Sequence, residues 1–325
     1  MSDAHAPAFL EPVPKTAVVV DLPSRGVPYP DNSPEGSGKL TLNAMTMIDE
    51  SEILNPPKGV SFSKAVDSVL RKAIQETVSV NSLLSADKFY LFMMLRAVTY
   101  GQDYTFTWEC QKEEGGEICG HTNKNSVNIP GDFQVKALLP EDKEPFLVEL
   151  PVSKKNVKFR LSRGVDELEV DAYEAEIKAK RKTGVMVADT TNIFRLAKLI
   201  THVDDNPITG DIAPDHIVKF VNSLPAEDIA LLRTQIEHYT PGMDTGIKVV
   251  CAQCKELTGM DLPITVSFFR PNYPVRGEPA TNEVRHDVLH GDEPSRNNED
   301  GPVGTPVVPQ QAKRDQGRGD GARTS

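Results

Sequence analysis

The chain has 325 residues, 38% hydrophobic and 26% charged, the balance of an ordinary globular protein. Its formal net charge of −11 disfavours wholesale binding to nucleic acid or to an anionic membrane. No apolar run approaches the ~18 residues of a membrane-spanning helix, and residues 1–14 lack the basic start and apolar core of a secretion signal, so an intracellular protein with no membrane partner is expected.

Residues 1–38 are rich in Pro, Gly and Ser around one apolar run, Ala17-Val18-Val19-Val20. In Leu22-Pro23-Ser24-Arg25-Gly26-Val27-Pro28-Tyr29-Pro30 the prolines fix φ and push their predecessors to extended backbone, so no regular element is expected there. The whole stretch reads as an extended N-terminal arm suited to draping over a neighbour. The next segment, 39–101, reads as helical with a short strand at its start. Val66, Val69, Leu70, Ala73 and Ile74 share one helical face and predict a helix over 63–78. A second helix, 85–100, is apolar almost all round through Phe89, Leu91, Phe92, Met93, Met94, Leu95 and Val98, and must be buried. Ser85 suits its N-cap and Gly101 the left-handed position that ends it.

The apolar period then changes to two. Tyr104, Phe106, Trp108 and Cys110 alternate with polar residues, and Val127 and Ile129 begin a return strand, so 102–130 reads as a first cysteine hairpin. A mixed insertion follows over 131–245. It holds a strand at 157–161, a charged helix at 170–182 and a short amphipathic helix at 192–201. Two further helices are opened by Pro214 and Pro225. The acidic run Glu167, Glu169, Asp171, Glu174 and Glu176, facing Lys178, Lys180 and Arg181, suits a solvated helix face, and Asp204-Asp205-Asn206 suits a turn. A second cysteine hairpin, 246–271, has Ile247, Val249 and Cys251 alternating on one side. Met260, Leu262, Ile264, Val266 and Phe268 alternate on the other. Residues 272–325 carry a single aromatic, Tyr273, among many Gly, Pro, Asn, Asp and Arg residues, and read as a disordered tail.

The chemistry of the chain lies in its cysteines. Cys251 and Cys254 have the two-residue spacing of a zinc knuckle between strands, whereas eight residues, 111–118, separate Cys110 from Cys119. Two knuckles supplying two thiolates each would hold one zinc ion and leave no open coordination position, which makes the metal structural. Disulfides, independent buried thiols and a redox pair are the competing assignments. Disulfides need an oxidising compartment, and a redox Cys-x-x-Cys normally opens a helix beside a thioredoxin-like strand. His121 follows Cys119 too closely to be more than a substitute ligand. The metal would pin the ends of an excursion of roughly 130 residues whose closure is otherwise entropically costly. The fold class expected is α+β: helical segments around a zinc-ribbon-like pair of β-hairpins. No phosphate loop, nucleophile elbow or histidine-rich catalytic pattern is present, so neither an enzyme nor a small-molecule substrate is expected.

In sequence, the landmarks are the Leu22-Pro23-Ser24-Arg25-Gly26 stretch, the helix from Asp87-Lys88-Phe89 to Leu95-Arg96, Tyr100-Gly101, the two cysteine hairpins and Phe268-Phe269-Arg270-Pro271. This order resembles the baseplate hub and assembly proteins of T4-like contractile-tailed bacteriophages, over about residues 20–271. The resemblance implies a structural or assembly role without catalysis, other phage tail and baseplate proteins as partners, and a place in the virion tail baseplate or in the host cytoplasm during assembly. The long Cys110–Cys119 spacing and the tail beyond Pro271 depart from the pattern. An alternative is a zinc-ribbon nucleic-acid-binding or regulatory protein. It would want Lys and Arg at the knuckles, where Glu109, Glu113, Glu114, Glu117, Glu256 and Asp261 stand instead.

Overall fold

The computed structural model describes residues 16–183, 188–210, 212 and 214–271. The expected tail, 272–325, lies outside the described residues. The first strand, β1 (Ala17–Asp21), pairs antiparallel with β2 (Lys39–Asn43), Val18 opposite Leu42 and Val20 opposite Leu40. Between them the chain is irregular, as its prolines require, but Leu22, Ser24 and Tyr29 are buried in the molecule's own core. A Cβ on Gly26 would stand 2.3 Å from the Gly36 carbonyl oxygen, so only glycine permits this close path. Residues 17–38 are thus part of the fold and not a free arm draped over a neighbour. The physical reason is Asp87. Its fully buried carboxylate accepts from the Ser24 amide at 3.0 Å and the Tyr29 hydroxyl at 2.7 Å, and the Leu84 amide donates to the same hydroxyl at 2.7 Å.

Helix α1 (Met47–Leu54) begins with a reciprocal cap between Thr46 and Asp49. Helix α2 (Phe62–Ala73) begins after Ser61 and buries Val66, Val69, Leu70 and Ala73. It stops short of the expected residue 78 because the backbone changes partner: Ile74 bridges to Leu42, and the Gln75 amide donates to the Thr41 carbonyl at 2.9 Å. Helix α3 (Ser85–Tyr100) has the expected span and burial, but Ser85 is its first helical residue and Leu84 its cap. Gly101 ends it with φ 91°, a conformation that favours glycine.

Strand β3 (Asp103–Glu109) leads to a small tip hairpin, β4 (Glu113–Glu114) with β5 (Glu117–Ile118), and returns as β6 (Thr122–Asn128). Tyr104, Phe106 and Trp108 face inward from β3, and Asn123, Asn125 and Val127 from β6. Next comes β7 (Val135–Lys136). The insertion then builds an antiparallel sheet from β8 (Phe146–Glu149) and β9 (Asn156–Phe159). After α4 (Gly164–Lys182) and α5 (Thr191–Leu199) the sheet gains β10 (Ile200–Val203) and β11 (Asn206–Pro207), in the order β11-β10-β9-β8. Residues 200 and 201, expected at the end of a helix, belong to β10: Ile200 pairs with Phe159, and Thr201 is the bulged residue before His202 pairs with Lys158. On α4, Lys178 pairs with Glu174 and Lys180 with Glu176 on the exposed face, and Asp204 and Asp205 turn the chain with positive φ, both as expected. Helices α6 (Pro214–Ser223) and α7 (Ala226–Tyr239) complete the insertion, and β12 (Gly242–Met243) pairs back on β7, so the two ends of the insertion meet.

The second hairpin is β13 (Gly246–Val250) with β14 (Leu257–Asp261). The expected alternation through Phe268 is corrected here. The strand ends at Asp261, and a single turn, α8 (Val266–Phe269), buries Phe268 and Phe269 side by side, which consecutive residues of a one-sided strand cannot do. Phe268 stacks on Phe92 with centroids 5.7 Å apart and meets the Tyr104 ring edge-on at 5.1 Å. The architecture is therefore mixed helix and sheet, with α3 packed against α2, α4, α8, β1, β2 and β12, and β3 of the first cysteine hairpin against α8.

Candidate metal centre

The two hairpins bring together all four predicted ligands. The sulfurs of Cys110, Cys119, Cys251 and Cys254 lie within 4.8 Å of one another, although the pairs come from segments over a hundred residues apart. Contacts run across the hairpins: Cys110 Sγ is 3.6 Å from Cys254 Sγ, and Cys119 Sγ is 4.0 Å from Cys251 Sγ. None of the four is in a disulfide. Four thiolates around zinc, with Zn–S bonds of ~2.3 Å, require sulfurs about 3.8 Å apart, so this donor set fits a tetrahedral thiolate ion in both chemistry and spacing. Among the described residues no other group of His, Cys, Asp and Glu is gathered in this way, and the His121 ring is not part of it.

Local backbone amides meet three of the four sulfurs. Amides of Lys112 and His121 donate to Cys110 and Cys119 respectively, and those of Cys254 and Gln253 donate to Cys251. The residue after the second cysteine turns with positive φ in each hairpin, 60° at Gly120 and 61° at Lys255. The long first spacing is resolved by the tip hairpin. Gly115 and Gly116, both with positive φ, turn β4 into β5, and the Cys119 amide closes the base on the Lys112 carbonyl at 2.8 Å. Removing 113–118 on paper leaves Cys110-Gln111-Lys112-Cys119, the spacing of Cys251 and Cys254. The first cysteine turn thus has the same two-residue spacing, with a hairpin inserted into it.

The electrostatics favour a cation among the sulfurs. Burial opposes a Cys251 thiolate, yet the amides of Cys254 and Gln253 and the Asn123 side chain bring that thiol down to about 6. Cys110 is pushed up to about 12 despite the Lys112 amide, through burial and the neighbouring sulfurs. One thiolate forms readily and the next is resisted by it, a conflict that a divalent cation removes.

Sequence reasoning missed Asn123. Its Nδ2 donates to Cys251 Sγ at 3.6 Å and to the His121 carbonyl at 3.1 Å, while its Oδ1 accepts from the Ala252 amide at 2.8 Å. It is the buried clasp between the knuckles. The signal was a polar residue at an inward position of β6. The next inward residue, Asn125, similarly accepts from Trp108 Nε1 at 2.8 Å.

The model of the family described as T4 bacteriophage base plate protein matches residues 21–270. The chain belongs to that family. The match runs from the end of β1 to the residue after α8, so it spans both cysteine hairpins, α3 and the insertion. No curated protein and no solved structure matched this base plate family member. Among the described residues, no helix is long and apolar enough to cross a membrane.

Proposed function

We propose that this base plate family member is a structural or assembly component of the hub region of a contractile phage tail. It works by binding other tail proteins, in the virion tail or in the host cytoplasm during assembly, and turns over no substrate. Cys110, Cys119, Cys251 and Cys254 hold one zinc ion, which supplies a rigid crosslink between the ends of the insertion. The observation that carries this reading is the closed set of four sulfurs in a base plate family chain: all positions of a tetrahedron are taken, leaving none for a substrate. The exposed glutamates around the knuckles, Glu109, Glu113, Glu114 and Glu117, disfavour the nucleic-acid alternative.

The test has two arms. Purified protein should contain about one zinc per chain, and chelation should lower its melting temperature. Phage lacking the protein should fail to make functional tails, and the protein should co-purify with tail components from infected cells. Metal-free protein with four reactive thiols would overturn the zinc assignment, and normal tails without the protein would overturn the role.

A further inference from the structure

We propose that the outer edge of β1 is a docking site where an extended, acidic segment of a partner protein adds as a further strand and sets a carboxylate against Arg25. This rests on the reading that the protein works through protein–protein contact, and it names one place where that contact is made.

Among the described residues, strand β1 is paired on one side only. Its even-numbered residues bond toward β2: the Thr16 carbonyl accepts from the Ala44 amide at 2.9 Å, and the Leu22 amide donates to the Gly38 carbonyl at 2.8 Å. Antiparallel alternation then turns the amides and carbonyls of Ala17, Val19 and Asp21 outward, and no strand among the described residues pairs with them. The far edge of the same sheet is closed, because the Thr41 amide meets the Glu76 carboxylate at 2.9 Å and its carbonyl takes the Gln75 amide. Edges left open to solvent are usually blunted by Lys, Pro or a bulge. Ala17-Val18-Val19-Val20 has none of these, and Val19 is 61% exposed.

Charge at the end of this edge selects the occupant. Beyond Asp21 lies a hollow of about 390 Å³ lined by Asp21, Leu22, Arg25, Lys39, Tyr90 and Val135, among others. Lys39 Nζ stands 3.0 Å from Asp21 Oδ1, so these two charges cancel. The Arg25 guanidinium has no ion pair or hydrogen bond among the described residues. It is exposed, on a backbone with φ 54° that glycine would adopt without strain. Among the described residues, the Arg25 charge on the lining of this hollow is thus left without an acidic partner, on a chain whose net charge is −11. A strand leaving the β1 edge would place its next side chains there, and a carboxylate is the complement.

The test uses the full chain and soluble peptides of alternating Thr and Val that end in Glu-Glu or Gln-Gln, with binding read by fluorescence anisotropy and amide exchange at Val19. The acidic peptide should bind about tenfold more tightly and slow exchange at Val19. Arg25→Gly should erase the acidic preference without lowering the melting temperature, since glycine relaxes that backbone. Val19→Pro should abolish binding of both peptides, because the Val19 amide faces away from β2. An acidic peptide N-methylated at alternate residues should fail to bind the unaltered protein, which keeps the test independent of how Val19→Pro folds. Equal binding of the two peptides, or none, overturns the proposal. So does binding that appears only when residues 1–15 are removed, which would make that segment the occupant. A dimer dissolved by Val19→Pro would assign the edge to a second copy and overturn it equally. Peptide binding does not depend on tail assembly, so its failure leaves the base plate role standing, and failure of that role leaves this result readable.

Discussion

Arg96 Nε donates to the carbonyl of Phe268 at 3.3 Å, joining the C-terminal half of α3 to the one-turn helix α8. The same guanidinium donates to the Gly101 carbonyl at 2.5 Å and lies 5.2 Å from the Tyr104 ring centroid. It is 1% exposed, so its charge is kept out of water by partners from α3, β3 and α8 together. With Arg270 paired to Glu50 of α1, the segment 268–270 is a clasp that holds the second hairpin on the core. Arg96→Ala should cost about 2–4 kcal/mol, through two orphaned carbonyls and a cavity under Phe268. Urea unfolding measures it, and a loss under about 1 kcal/mol would show that the clasp is not energetically important. Arg96→Lys should restore only part of the loss, because an ammonium cannot reproduce the guanidinium fork.

The Tyr29 hydroxyl holds the Leu84 amide and the Asp87 carboxylate at once. Tyr29→Phe leaves both buried and unpaired on that side, a cost of about 2–4 kcal/mol. Deleting residues 1–30 should be worse, because it removes β1, Leu22, Ser24 and Tyr29 along with any disposable terminus. The truncated chain should show no cooperative melting transition. A truncated protein that melts normally would mean the segment packs on the core without supporting it.

Burial raises the Asp87 carboxyl above its usual value, although the Ser24 and Tyr29 bonds pull the other way. Between the unfolded value, about 4, and the higher folded value, the folded state holds the extra proton, so stability falls as pH rises through that window. Asp87→Asn should remove this slope, whatever its effect on absolute stability. Unfolding midpoints measured from about pH 4 to pH 8 on both proteins check it. Parallel pH profiles would place the charge of Asp87 outside the balance.

How much of this was legible depends on the range of the interaction. Helix α3 and the two hairpins were readable because their periodicity is local and strong, and the cysteines because thiols paired at strand turns have few other uses. The packing of residues 17–38 was not legible: a proline-rich stretch reads as loose until Asp87, more than fifty residues away, supplies partners for Ser24 and Tyr29. The early end of α2 at Ala73 was hidden for the same reason, since Thr41 decides it. Phe268 sat at the correct phase for a strand, and only the inward burial of its neighbour Phe269 separates a helical turn from that pattern.

The inserted tip hairpin gives the sharpest test of how the proposed metal site is built. If the first knuckle is a two-residue knuckle interrupted by 113–118, those six residues carry no part of the ligand geometry. The Cys119 amide already stands 2.8 Å from the Lys112 carbonyl oxygen, so joining Lys112 directly to Cys119 needs only a small backbone closure. Both strands of the tip are exposed, and its removal strips little from the core. The excised protein should bind one zinc per chain, and with cobalt in its place should give the absorption of a tetrahedral four-thiolate site, matching the intact protein. Its melting temperature should change little, whereas Cys251→Ser or Cys254→Ser should lower it sharply and His121→Ala should not. Asn123→Ala should keep the metal but weaken its hold, because the Cys251 sulfur and the Ala252 amide would both lose a partner. Loss of the metal on excision alone would show that the hairpin shapes the site, and that the resemblance of the two knuckles is one of spacing only.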